Sequence, residues 1–123
     1  GQPPPLPALD KQALNRVKGA LAVFDDSARM TRWPLKTSVQ RLCLAWFWTR
    51  LPDRADMTEN EVNAILKANE VFGDHVLLRR CLIEHKMATR TVDGATYRRI
   101  GRSPDAEERA VIKALSERAM SKA

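Results

Sequence analysis

The sequence predicts a mainly α-helical domain with a small β-hairpin, and three observations carry that prediction. Thr58 and Glu61 form a capping box that opens an amphipathic helix; Gly73-Asp74 breaks the chain and starts a second helix; Asp93-Gly94 then sits between two short basic runs. Helix, short turn, helix and tight hairpin, in that order over Met57 to Ile100, make a winged helix-turn-helix, here with extra N- and C-terminal helices.

Taken in order, the chain of 123 residues, 44% hydrophobic and 29% charged, reads as soluble globular material with one modest core. Residues 1–8, with Gln2-Pro3-Pro4-Pro5-Leu6-Pro7, read as a polyproline II tail or linker, an SH3-like ligand being the weaker alternative. Gly1 in place of an initiator methionine reads as a scar or a cut end. A single domain is expected over 9–123, with its core at 36–100 and flanking helices at 10–24 and 104–121. Asp10 caps the first helix, whose Leu14, Val17, Leu21 and Phe24 fall on one stripe until Asp25-Asp26-Ser27 ends it. Trp33-Pro34 marks an irregular stretch, because proline pushes its predecessor out of the helical region.

Lys36 to Arg50 is the most apolar helix. Val39, Leu42, Cys43 and Trp46 lie on one side, Leu44 and Trp48 roughly opposite, and Phe47 at the border. Two apolar faces require two covers. The flanking helices are the favoured cover for the second face and a homodimer partner is the alternative. A loop from Leu51 to Asp56 leads into a short strand at Met57.

From Thr58 to about Glu70, Val62, Ile65 and Leu66 recur at helical spacing. Asp74 caps the helix His75 to Lys86, which gathers Leu77, Leu78, Cys81, Leu82 and His85 on one side and Val76, Arg79, Arg80, Ile83 and Lys86 on the other. The hairpin pairs Met87 to Val92 with Ala95 to Ile100. A last helix is expected with Ser103 as N-cap and Pro104 at its first position, burying Val111, Ile112, Leu115 and Ala119 on the body or between two protomers.

The run Thr58-Glu59-Asn60-Glu61-Val62-Asn63-Ala64-Ile65-Leu66, then Asp74-His75-Val76-Leu77-Leu78-Arg79-Arg80-Cys81-Leu82, then the Asp-Gly hairpin with Tyr97-Arg98-Arg99, resembles an uncharacterised bacterial family. That family is a domain of unknown function found alone or joined to helix-turn-helix regulators of the ArsR type. The resemblance covers roughly Leu21 to Ile100 and implies a winged-helix fold and a role in regulation. The chain carries Met57 where the family tends to have an aromatic residue, and Asn69-Glu70-Val71 where it has a more polar, His-bearing turn.

The formal charge of +6 is localised. Between Arg79 and Arg102 there are seven Lys or Arg residues against Glu84 and Asp93, while the rest of the chain holds fourteen against thirteen. Such a surplus suits a polyanion or an acidic partner. Double-stranded DNA is therefore the leading partner, with Arg79, Arg80 and Lys86 reaching from the second helix and Arg90, Arg98 and Arg99 from the hairpin. The alternative is a protein partner anchored on Val76, Ile83, Leu44 and Trp48, because the outer face of the second helix holds two apolar residues and no Asn, Gln, Ser or Thr.

Other classes are disfavoured. Cys81 and His85 share a helix face, but with Cys43 and His75 they form no paired zinc knuckle, so no metal and no cofactor is expected. The sequence has no Gly-rich phosphate loop and no Gly-x-Ser-x-Gly elbow, and Asp74 next to His75 cannot orient it along a helix, so an enzyme is not expected. No apolar run approaches the roughly 20 residues needed to span a bilayer. Two cysteines and no signal peptide point to the cytoplasm.

Overall fold

A computed structural model describes residues 9–121; the proline-rich segment 1–8 lies outside them. The described chain has five helices and a small antiparallel sheet, in the order α1 (Lys11–Leu21), α2 (Thr37–Arg50), β1 (Asp56–Met57), α3 (Glu59–Ala68), α4 (His75–Glu84), β2 (Ala88–Arg90), β3 (Tyr97–Arg99) and α5 (Ala106–Ser121). The sheet runs β1-β3-β2, with Met57 opposite Tyr97 and Thr89 opposite Arg98. One hydrophobic cluster joins all the helices. No helix of the described residues is long and apolar enough to cross a membrane.

Helix α2 is the centre. Every residue from Leu42 to Trp48 is buried, so the helix is covered around its circumference rather than on two faces. Helices α1 and α5 pack on it and on each other, and α4 packs on it from the sheet side. Intrachain cover accounts for the second face.

The α1 stripe differs from the expected one. Asp10 caps the helix through Ala13, but the buried residues are Ala13, Val17 and Ala20, and Leu14 is 41% exposed. Two alanines in the stripe let α1 approach both α2 and α5 closely, which rotates the seam away from Leu14. The helix stops at Leu21, before Asp25-Asp26-Ser27. That trio instead builds a turn in which Asp25 Oδ1 accepts from the amides of Ser27 and Arg29, both at 2.9 Å, and Ala28 takes a left-handed φ of 61°. The turn delivers Met30 into the core, where its backbone pairs with Asn69 and Val71 at the end of α3.

Helices α3 and α4 start where their caps dictate. Thr58 Oγ1 accepts from the Glu61 amide at 3.1 Å, and Asp74 Oδ1 accepts from the Leu77 amide at 3.1 Å. Both end earlier than their periodicity suggests. Asn69 Nδ2 donates to the Ile65 carbonyl and closes α3 at Ala68. Lys86 adopts φ 59°, so the Met87 amide reaches the Leu82 carbonyl at 2.9 Å and the Lys86 amide reaches Ile83, a Schellman stop that usually takes glycine.

The hairpin turn also differs from a two-residue Asp-Gly turn. Of Asp93 and Gly94 only Gly94 has positive φ, whereas a type I′ turn needs it at both central residues. The turn therefore moves back one residue and closes between the Thr91 carbonyl and the Gly94 amide at 2.9 Å, and pairing stops at Thr91 and Thr96. The Thr91 hydroxyl and the Ala95 amide donate to Asp93 and hold its carboxyl below its ordinary pKa.

Helix α5 is capped by Asp105, not Ser103, so Pro104 falls outside it. Asp105 Oδ1 accepts from the Glu108 amide at 2.9 Å and Glu108 Oε1 accepts from the Asp105 amide at 2.8 Å, a reciprocal capping box. Glu108 is buried and is also gripped by both terminal nitrogens of Arg102 and by Arg41 at 3.3 Å. Val111 and Leu115 are buried as expected, with Ile112 and Ala119 beside them. Arg16 to Glu107 at 2.7 Å and Arg118 to the Leu21 carbonyl at 3.0 Å fix α5 along α1. Because Glu108→Ala removes the reciprocal cap of α5 and the acceptor of partly exposed Arg102, it is expected to lower stability by about 1–3 kcal/mol. Urea unfolding of the variant and the parent chain measures the difference.

Candidate nucleic-acid interface

Helix α4 packs on α3, α2 and β2 and buries Leu78, Cys81 and Leu82, while Val76, Arg80 and Ile83 border a cleft toward the hairpin. The arginines of this region are adjacent in sequence and unlike in environment. Arg79 is held against α3: one terminal nitrogen donates to Asn63 Oδ1, the other lies 3.0 Å from Glu59 Oε1, and the side chain is only 18% exposed. Arg80, one residue on, projects outward with only a 3.8 Å contact to Glu84 on its own helix. Arg79 therefore clamps α3 to α4.

The hairpin divides its cations in the same way. Side chains alternate along β3, so Tyr97 and Arg99 face the body while Arg98 faces out. Arg99 lies over the Trp48 ring, 4.1 Å from its centroid, and donates to the Leu51 carbonyl at 3.0 Å. Cation–π stacking and a backbone acceptor hold it inward, toward Trp48 and Leu51. Arg98 is exposed but sits beside Asp56 of β1, at 3.7 Å, on the outer face of the sheet. Arg90 is exposed on β2, the edge strand, opposite Tyr97. Lys86, at the Schellman stop, is exposed as well.

Arg80, Lys86 and Arg90 stand exposed along α4 and β2, and Arg98 stands exposed on the outer face of the sheet. A cleft of about 270 Å³ between α4 and the hairpin is lined by Val76, Arg79, Arg80, Ile83, Glu84, Arg90 and Tyr97. A second groove of about 490 Å³ on the other side of Ile83 and Arg90 adds Lys86, Thr89 and Val92. Ile83 and Arg90 form the wall between the two. Val76 is 47% exposed, so the apolar component of this face is real.

The other two anchors expected for a protein partner are elsewhere. Leu44 is 0% and Trp48 3% exposed, Trp48 lying beneath Arg99 and Arg102 with its indole nitrogen donating to the Ile100 carbonyl at 2.7 Å. They belong to the core because α2 is covered on every side. Cys43 and Cys81 are free and buried. Among the described residues no three His, Cys, Asp or Glu side chains gather as metal ligands. Burial pushes the Cys43 thiol up to about 12 and raises that of Cys81 as well. Sequence reading passed over Arg54 and Arg102, which converge with Arg98 and Arg99 near Trp48. The Arg99 placement could have been read from strand alternation with Tyr97; that of Arg54 and Arg102 depends on how distant loops meet.

A helical domain with a small sheet, whose α4 and hairpin share a cationic surface, is the class that this geometry defines. Residues 29–99 match the model of a family described as an uncharacterized protein conserved in bacteria, DUF2087, and the chain belongs to that family. The match spans α2 to β3 and leaves α1 and α5 outside it. No curated protein and no solved structure matches the chain.

Two outcomes follow from this geometry. Arg79→Ala is expected to lower stability by about 1–2 kcal/mol, and Arg80→Ala to change it by less than about 0.5 kcal/mol, both read from urea midpoints. At pH 8 a thiol with the Cys43 value is thiolate only on the order of 10⁻⁴ of the time, and thiolate grows with pH. Alkylation followed by mass spectrometry should therefore leave Cys43 unlabelled in the folded protein and label it in urea.

Proposed function

We propose that the chain is a DNA-binding winged-helix protein, a transcriptional regulator or regulator domain acting in the bacterial cytoplasm. The order helix, strand, helix, helix, strand, strand, with β1 added to the edge of the hairpin strand β3, supports the winged-helix reading. The observation that carries the functional reading is the sorting of the cations. Arg79, Arg99 and Arg102 are tied to the chain's own acceptors, while Arg80, Lys86 and Arg90 line adjoining grooves along α4 and β2. On this reading α4 enters the major groove, Arg80 reaches a base edge or a phosphate, and Lys86 and Arg90 hold phosphates beside it. Free cysteines, both buried as thiols, suit a reducing compartment.

A second reading keeps the same face and changes the partner. Val76 and Ile83 lie between the cations and give this surface an apolar centre with a basic rim, which also fits an acidic protein.

Fluorescence anisotropy of a labelled mixed-sequence duplex at several salt concentrations tests the first. Three neutralised phosphates give a fall in log affinity with log salt of slope about −3. Arg90→Ala and Lys86→Ala should each weaken binding across all sequences and reduce that slope by about one unit, while Arg99→Ala leaves it unchanged. Absence of binding at low salt, or a slope indifferent to Arg90 and Lys86, overturns the DNA reading and favours the protein partner.

A further inference from the structure

We propose that a second basic hollow, sharing no residue with the α4 and hairpin grooves, binds a small ligand through a terminal phosphate group. The hollow, of about 560 Å³, lies between the turn after Leu51, strand β3 and the stretch joining β3 to α5. Four guanidinium groups line it, those of Arg54, Arg98, Arg99 and Arg102; Asp53, Asp56 and Glu108 lie against three of them, and Arg99 has no carboxylate partner among the described residues. The surplus of positive charge in a concavity draws an anion, and low-dielectric walls focus the field there.

Two of the four are fixed in advance. The Trp48 ring carries Arg99 at 4.1 Å and Arg102 at 5.1 Å from its centroid. Glu108 forks Arg102 from behind, and the Leu51 carbonyl accepts from Arg99. Arg99, stacked and held by one backbone acceptor, loses little further freedom on binding, while Arg102, whose two terminal nitrogens serve Glu108, contributes charge to the wall rather than a free fork. The Arg99 Nε–H is buried without an acceptor. The other two are free to close. Arg54 is 90% exposed and 3.9 Å from Asp53, and Arg98 is 3.7 Å from Asp56, both contacts too long to be strong.

The chemistry of the donors selects the ligand. Planar forks, here those of Arg54 and Arg98, match the oxygens of a phosphate in pairs, and a phosphate dianion offers them more charge and more acceptor oxygens than a carboxylate does. Ser103 adds a hydroxyl-bearing residue to the lining. The size selects a small molecule. A hollow of this volume lies within the range of about 300–1,000 Å³ for small-ligand pockets.

Isothermal titration calorimetry of the whole chain with inorganic phosphate and with pyrophosphate, at ionic strength held constant with sodium chloride, tests the site. Saturable binding at one equivalent is expected. The double variant Arg54→Ala/Arg98→Ala, which removes only exposed side chains, should weaken it at least about tenfold, and Lys86→Ala/Arg90→Ala should leave it unchanged. A linear response at constant ionic strength, or a double variant that binds like the parent, overturns the proposal. So does a loss of duplex affinity in Arg54→Ala/Arg98→Ala equal to that in Lys86→Ala/Arg90→Ala, which would give the hollow to the DNA backbone. Failure of duplex binding alone leaves the phosphate titration intact, so the two readings fail separately.

Discussion

Seven consecutive buried residues, Leu42 to Trp48, set the terms for the rest of the molecule. A helix with an apolar stripe needs one neighbour; a helix with apolar side chains all round needs neighbours on every side, because each exposed large side chain forfeits roughly 1.5–3 kcal/mol of burial. Helices α1 and α5 supply one side and α4 with its sheet the other. The anchoring of α5 is correspondingly polar and specific. Glu108 sits at the point where α5 begins, α2 passes and the β3 linker arrives, and it is bound by Arg41 of α2 and Arg102 of the linker. A buried carboxylate with two arginines is weak as a source of stability compared with apolar packing, but it fixes which way α5 lies across α2.

The same wrapping decides which cations are available. Trp48 lies at the edge of the covered surface, and its ring face is closed by Arg99 and Arg102 rather than by another apolar side chain. A guanidinium can do this because its face is weakly hydrated while its edge still donates hydrogen bonds. Closing the core thus draws arginines out of the apparent basic surplus. Arg79 is drawn inward for a related reason: α3 and α4 meet across a short turn, and Glu59 with Asn63 presents acceptors at the crossing. Net charge along a stretch of sequence therefore overstates the charge presented to a partner.

The fold was legible wherever the determinant was local. Thr58 with Glu61 and Asp74 with the Leu77 amide act within one helical turn, so their residue types placed the starts of α3 and α4. The stops were less legible. Lys86 takes the left-handed position normally given to glycine, and Asn69 closes α3 with its own side chain, neither of which hydrophobic period reveals. At the candidate site the distinction between Arg79 and Arg80 was illegible, because both lie on the polar side of one helix and only the position of α3 separates them. Between Arg98 and Arg99 it was legible, since Tyr97 is buried and strand alternation sends Arg99 the same way.

The family match helps to interpret that division. It covers α2, the sheet, α3 and α4 but neither of the helices that wrap α2 on its other side. Residues 29–99 by themselves would present Leu44, Phe47 and Trp48 without the α5 residues Val111 and Leu115 that share their cluster. Here α1 and α5 occupy that surface, held by Arg16 to Glu107 and by Arg118 on the carbonyls that end α1. The cover comes from within the chain, so the apolar side of α2 needs no second protomer. Cations with weak internal partners border Val76 and Ile83 beside α4 and the hairpin, and a second basic hollow lies over Trp48, where α5 places Glu108 against Arg102.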